Sequence, residues 1–554
     1  MIGIRPSRYV VRAITMLLWA AVLSAAPRLQ AEEAAGSSDA ARSAYASAAA
    51  LQNREAWDLA AEEWESLVAK HPNDPLALKG RYYLGICLLK NDQWDKAAAA
   101  FRVVIDSKAD AATVALARWE LGRGSFQAAQ ARPTPEAFAT AARDLEAFVA
   151  QSPAHPQLPD ALFFLGEALW QAGQRPDAIA AWQRCVRDHP QSPRLPEVLY
   201  ALGVGQAETG SRAEAAATLK RFADAFPKHA LADDVAVWRA DVATAAGNTA
   251  EAEQLLAAVI GGKGSRSADA LERLATARWN RKDWPAAALA FGQFADRFPE
   301  SPRARRATLS AGIAYAEAKK PDEAILWLSR VIAAQATDAA QSTDSAEAAL
   351  RLARLEIDAG RPAQAAVVAE QALARLTAAT GIPAADSQPL AARLALVRAD
   401  ALWEIPSERA AAAAVYANIV KAHPAEPAAK TALSMMALAS LQLGKPDEAL
   451  AQADRFLKHY AAAAPADPLT SDVRAIRAEA FVAKGDGPAA AAAYKELIAS
   501  AAPPPATTAA RLARWQLRCG TALVMAKQWQ PAHEMLAAAA AALDGDSAAE
   551  ALLL

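Results

Sequence analysis

Six stretches of the chain open alike and place the same small residue at the same distance. Residues 91–101 read NDQWDKAAAAF, 172–182 AGQRPDAIAAW, 209–219 TGSRAEAAATL and 318–328 AKKPDEAILWL. Leu443 opens LGKPDEALAQA and Ala526 opens AKQWQPAHEML. Each begins with Gly or a polar turn, continues with Pro, Trp or an acidic residue at a helix start, and reaches Ala six residues after its opening. Arg54, Asn91, Ala172, Thr209, Ala246, Arg281, Ala318, Ala359, Leu443, Lys484 and Ala526 all open such a segment. They are 35–42 residues apart except for gaps of 81 and 84, each two units long. An insertion around Arg132-Pro133-Thr134-Pro135 and an irregular turn at Glu404 to Ser407 disguise the missing members. About 13 units therefore fill the chain between Ala40 and Leu543. A repeat this short buries too little on its own, so neighbouring units must stack.

Each unit reads as two helices of roughly 13–16 residues. Proline at a first helical position supplies the right φ and lacks no needed N–H. Asp177, Asp322, Glu323, Asp447 and Glu448 follow it, where negative charge suits the helix dipole. Pro72, Pro153, Pro190, Pro227, Pro299 and Pro424 stop the second helix. Composition agrees. Alanine dominates, 53% of residues are hydrophobic and only 6% aromatic, which favours an all-α chain over a disordered or all-β one. The net charge of −2 removes the basic excess that nucleic-acid binding requires, so no nucleic-acid partner is expected.

These residues resemble the tetratricopeptide repeat (TPR) family, whose unit carries Leu-Gly in its first helix, Ala then an aromatic in its second, and a closing Pro. Here Leu-Gly stands at 84–85, 121–122, 165–166 and 202–203. The Ala-to-aromatic step joins Ala60 to Trp64, Ala97 to Phe101, Ala178 to Trp182, Ala287 to Phe291, Ala412 to Tyr416 and Ala490 to Tyr494. Matches weaken around residues 236–264 and 347–377. The resemblance implies a right-handed α-solenoid of about 13 antiparallel helix pairs whose first helices line a concave surface. The style of residues 222–227 and 294–302 is similar to exported bacterial envelope TPR proteins.

Catalytic chemistry is absent from the motifs. His533-Glu534 has no second His at zinc-site spacing, and no Cys/His pair has ligand spacing. The Gly-Lys at 262–263 lacks the phosphate-loop spacer and reads as a loop between units. Five of the seven His, beside the closing Pro or at the end of a second helix, read as caps for exposed carbonyls. Cys87, Cys185 and Cys519 sit in apolar helical patterns and read as buried, inert thiols. No enzyme activity, cofactor or metal is expected.

On the flank of each first helix away from Leu-Gly, the resemblance places a run of large side chains toward the groove. These are Tyr82, Ile86 and Leu89, then Trp119, Arg123 and Phe126, then Phe163, Glu167 and Trp170, then Tyr200 and Val204, and later Trp279. Two readings stand: the aromatics pack between neighbouring first helices, or they line a groove for an apolar peptide. Aromatic and Arg anchors are what interface hot spots use. The family's clamp for a terminal carboxylate needs Lys and Asn here. Tyr82/Ile86, Phe163/Glu167 and Tyr200/Val204 do not supply it.

Arg5, Arg8 and Arg12 precede an apolar stretch at 13–26 that is short for a membrane span, and Ala31 is followed by two Glu. Residues 1–31 therefore read as a secretory signal peptide, 32–39 as a disordered linker, 40–545 as the solenoid, and 546–554 as the start of a further helix or a truncated end. The expected protein is an exported, periplasmic or envelope scaffold that binds proteins or peptides, with no stable membrane insertion once the signal is cleaved. The alternative is a regulatory or recognition arm of a larger envelope enzyme or secretion machine. A polysaccharide hydrolase would need a placed carboxylate pair, which the sequence does not offer.

Overall fold

The computed structural model describes residues 36–261, 266–461, 467–500 and 508–553. The expected signal peptide lies outside them, as does most of the loop around Gly262-Lys263. Among the described residues there are 27 α-helices and no strand. The chain divides into two units, one running to Val259 and the other beginning at Ile260.

In the first unit, the paired helices are α1 (Asp39–Asn53) and α2 (Trp57–Lys70), α3 (Leu76–Lys90) and α4 (Trp94–Ile105), and α5 (Ala111–Ala131) and α6 (Pro135–Gln151). Next come α7 (Leu158–Gln171) and α8 (Arg175–Asp188), α9 (Leu195–Glu208) and α10 (Arg212–Ala225), and α11 (Ala232–Ala245) and α12 (Thr249–Gly261). The second unit holds α13 (Ser267–Asn280) and α14 (Trp284–Arg297), α15 (Ala304–Glu317) and α16 (Pro321–Ala333), and α17 (Ala339–Asp358) and α18 (Pro362–Ala378). It continues with α19 (Ala384–Trp403) and α20 (Arg409–Ala422), α21 (Pro427–Gln442) and α22 (Pro446–Phe456), α23 (Pro468–Ala483) and α24 (Gly487–Ala499), and α25 (Ala509–Met525) and α26 (Trp529–Ala540). A last helix, α27 (Asp546–Leu553), packs Ala551 against Leu517, Leu536 and Ala539. Thirteen pairs and one single helix agree with the repeat.

The eleven segment openings read from the sequence are all C-caps of first helices. In each case the next residue adopts positive φ. It is Gly at 173, 210, 247, 360, 444 and 485, and a side-chain-bearing residue at Glu55, Asp92, Lys282, Lys319 and Lys527. This left-handed residue closes the helix: the Gly173 amide donates to the Trp170 carbonyl at 3.1 Å and the Gln174 amide to that of Leu169 at 2.9 Å. The two disguised turns are built otherwise. Pro133 follows the cap Arg132, and a 3₁₀ turn at Pro406–Glu408 follows Glu404. Helices α5, α17 and α19 are also longer than the repeat suggested, at 21, 20 and 20 residues.

Alanine six residues past the turn is buried throughout, from Ala60 to Ala532, because the second helix crosses the first closely there. Within each unit, core clusters are shared between neighbouring pairs. One cluster runs from Trp119 through Phe148, Phe163 and Trp182 to Val198, and so belongs to three pairs at once. Another joins Trp403, Tyr416, Phe456 and Val473 in the second unit. Helices of this length are marginal alone in water, so such shared burial is what holds them.

Charged side chains tie helices together within and between pairs. Arg305 of α15 donates to the carbonyls of Val331 (3.0 Å) and Ala334 (3.2 Å), where α16 runs out of partners, and Arg375 reaches Ile332 at 3.1 Å. At the start of the first unit, Asp74 accepts from the Ser38 amide at 2.9 Å and from the Leu76 amide at 3.0 Å. Desolvation raises the Asp74 carboxyl, but these hydrogen bonds outweigh it and bring it down to about 2. Ser38 itself caps α1, so the end of the segment read as a linker is held in place.

Candidate functional site

The first helices α1, α3, α5 and α7 approach one another in turn, and α9 approaches α11, so they form one face of the first unit. Around α7, about 100° per residue sets the order Gly166, Trp170, Phe163, Glu167, Phe164. Gly166 faces Trp182 of α8, where a Cβ would lie 2.2 Å from the indole Nε1. Trp170 reaches α9, 3.3 Å from where a Cβ on Gly205 would stand, and its ring lies 5.8 Å from that of Trp182. Phe164 faces α5, with ring centroids 6.3 Å from Trp119 and 5.2 Å from Phe126. Glu167 falls between Phe163 and Phe164 in this order and is half-buried.

Burial decides between the two readings of the large side chains. Trp119 (7% exposed), Phe126 (5%), Phe163 (2%) and Tyr200 (1%) are buried between helices. Trp119 rests on Phe148 of α6 and Phe126 on Phe138. They fill the wedge between successive first helices and are not a surface stripe. What stays on the face is the residue one turn further along each helix: Ile86, Arg123, Glu167 and Val204, each half-buried. Tyr82 and Trp170 are also half-buried. Tyr82 packs on Tyr83 and Phe101, at 5.2 and 5.9 Å between rings. Burial, with Glu120 and Tyr83 adding, pushes its phenol well above the ordinary range, and Arg123 opposes this. Trp279 belongs to the second unit, set edge-on against Trp284 at 5.2 Å and Phe291 at 6.0 Å.

The charged groups of this face differ in their commitments. Arg123 gives both Nε (2.8 Å) and Nη2 (2.5 Å) to one oxygen of Glu120. Arg194 donates to Asp160 at 2.6 Å and lies over the rings of Phe163 and Phe164. Arg175 covers Trp170 at 5.1 Å. Glu167 forms no ion pair or hydrogen bond among the described residues, and burial pushes its carboxyl up to about 7. Matching positions in the second unit are filled differently. Asp400 accepts from the Tyr416 hydroxyl at 2.7 Å, and Glu479 accepts from Tyr494 and, at 2.9 Å, from Arg518. In α8 the residue that would play this part for Glu167 is Trp182, and its Nε1 turns to the Phe163 carbonyl at 3.4 Å.

Elsewhere the polar groups are structural. Cys87, Cys185 and Cys519 are buried free thiols, and burial pushes Cys87 up to about 12. His71, His189 and His423 stand at C-caps. His155 and His229, expected to face carbonyls, instead accept the amides of Gln157 and Leu231 at 3.2 Å and sit edge-on to Phe148 and Phe222. A 480 Å³ cavity between α8 and α10 contains Gln206, already bonded to Glu214 at 3.3 Å and Thr218 at 2.8 Å. Among the described residues, no cluster of three His, Cys, Asp or Glu is placed to hold a metal ion. No described helix is long and apolar enough to cross a membrane.

Stacked helix pairs, left-handed turns and the shared first-helix face define a tetratricopeptide class of architecture. Two family models described as tetratricopeptide repeat match it, one at residues 45–112, 136–193, 272–340 and 434–506 and the other at 197–229, together more than half of the chain. The chain belongs to the tetratricopeptide repeat family. Among solved structures it is similar to the C-terminal part of a TPR repeat-containing protein from Cytophaga hutchinsonii, with 18% identity over 48% of this chain and 98% of that one (TM-score 0.38). It is also similar to YrrB, a TPR protein with an unusual peptide-binding site, with 18% identity over 36% of this chain and 92% of that one (TM-score 0.29). The structure of Naa15/Naa10 bound to HypK-THB matches at 12% identity over 91% of this chain and 76% of that one (TM-score 0.36). No curated protein matches the sequence.

Proposed function

We propose that this protein is a non-catalytic interaction scaffold that holds a protein or peptide segment on the first-helix face of its first unit. The observation that carries this reading is the row Ile86, Arg123, Glu167 and Val204: a half-buried residue at the same place in each of four successive first helices, apolar at both ends and charged between. A concave repeat surface of this kind is extended and offers anchors at regular steps. The basic and apolar N-terminus supports a place in the cell envelope, with partners among envelope proteins.

Replacing Ile86 and Val204 together with Glu tests the reading. Partners co-purifying with the wild type from envelope extracts are expected to be lost while the melting temperature stays within a few degrees. Full retention of every partner would overturn it. N-terminal sequencing of the mature chain, expected to begin at Glu32, tests the envelope assignment; a mature chain that retains residues 1–31 and fractionates with the cytoplasm would contradict it.

A further inference from the structure

We infer that the face between α5 and α9 recognises a basic side chain, Lys or Arg, carried by an apolar peptide segment, and that Glu167 is the residue that selects it. The inference rests on the proposed peptide-binding reading of this face and names the chemistry of its occupant. Glu167 is half-buried on α7, with Phe163 one turn before it and Trp170 one turn after. Helix α7 meets α5 through Phe164 and α9 through Trp170, which stands against Gly205.

A carboxylate drawn from water into such surroundings is costly unless a cation or donors meet it. None of the described residues does so. The charged groups on the elements around it are Glu120 and Arg123 on α5, Asp160 on α7, Arg175 on α8, Arg194 in the turn before α9, and Glu197 and Glu208 on α9; none bonds to it. The three Arg are held by Glu120, by Asp160 with two Phe rings, and by the Trp170 face. The Tyr that serves Asp400 and Glu479 is replaced here by Trp182, turned away. An incoming ammonium or guanidinium meets an unshared carboxylate, and the segment that carries it covers Ile86 and Val204. Once ionised, the carboxylate is open to a cation from outside the described residues, and Ile86 and Val204 favour apolar residues flanking it.

The test selects dodecapeptides from a random phage-displayed library on the full-length protein, then measures binding of the selected peptides to wild type and to Glu167→Gln. The expected result is peptides with Lys or Arg between apolar residues that protect Arg123 and Val204 from footprinting and bind Glu167→Gln about tenfold more weakly or worse. Replacing the basic residue by norleucine is expected to weaken wild-type binding equally and Glu167→Gln binding little. Peptides that occupy the face without a basic residue, or that bind both proteins alike, would overturn the inference and leave the peptide-binding reading intact. If every selected peptide binds away from Ile86, Arg123 and Val204, both fail. Unchanged circular dichroism of Glu167→Gln excludes unfolding as the cause.

Discussion

A Cβ on Gly166 would stand 2.2 Å from Nε1 of Trp182, and Trp182 is only 2% exposed. The glycine of the Leu-Gly pair and the aromatic of the following helix therefore occupy one contact, and the aromatic has nowhere to withdraw. Alanine ordinarily favours a helix over glycine, so the sign of this substitution separates local propensity from packing. Gly166→Ala is expected to lower stability by about 1–3 kcal/mol, read from urea unfolding. A neutral or stabilising result would mean that α7 and α8 are not this close.

The left-handed turn residues give a prediction of opposite sign. Lys319 holds φ at 57° where Gly173 holds 84° in the same place of its own unit. A side-chain-bearing residue in that region is strained by about 1–2 kcal/mol. Lys319→Gly is expected to raise stability by up to about 1 kcal/mol, since glycine also gains freedom in the unfolded chain. Gly173→Ala is expected to lower it by a similar amount. Thermal unfolding of the two variants beside wild type checks both signs.

Arg305 supplies donors to the end of α16 that no backbone amide can supply. Arg305→Ala leaves the Val331 and Ala334 carbonyls short of a partner and is expected to cost about 1–3 kcal/mol. Hydrogen exchange should show faster opening at the end of α16 and the start of α17, with little change in α1–α7. Uniform exchange change across the chain would contradict this assignment.

The Glu167 carboxyl is displaced from its ordinary 4.5 up to about 7 by burial. Below pH 4.5 the carboxyl is protonated in both folded and unfolded chains. Between the two values the folded chain keeps a proton that the unfolded chain has lost, so this stabilising contribution drains away as pH rises toward 7. The stability of wild type relative to Glu167→Gln is expected to fall over that window and to level off above it. A cationic peptide favours the ionised carboxylate, so its affinity for wild type should rise from pH 5.5 to pH 8. Parallel stability curves for the two proteins would refute the shifted carboxyl.

The turns were the most legible part of this fold. Arg54, Asn91 and the nine openings that follow were read from sequence and stand at C-caps, because the chain must spend the same residue types wherever a first helix reverses. Thr134 and Pro406 hid their units because extra residues there build a different turn. The face was harder. A helical period marks Trp119, Arg123, Phe126, Phe163, Glu167 and Trp170 as one flank but does not divide that flank between a neighbouring helix and open surface. Trp119 and Phe163 went to the wedge, Arg123 and Glu167 to the face. That Arg123 is spent on Glu120 and Glu167 is left unpaired depends on which side chains meet across helices, and spacing along the chain carries none of that.

The claim that matters most is that partners sit on the first-helix face. Photo-crosslinking in cells with a benzoylphenylalanine at Val204, and separately at Leu59, which is 54% exposed on the second-helix side, tests it most directly. Discrete protein adducts from position 204 and none from position 59 are the predicted result. Adducts from position 59 alone, or the same adducts from both, would contradict it.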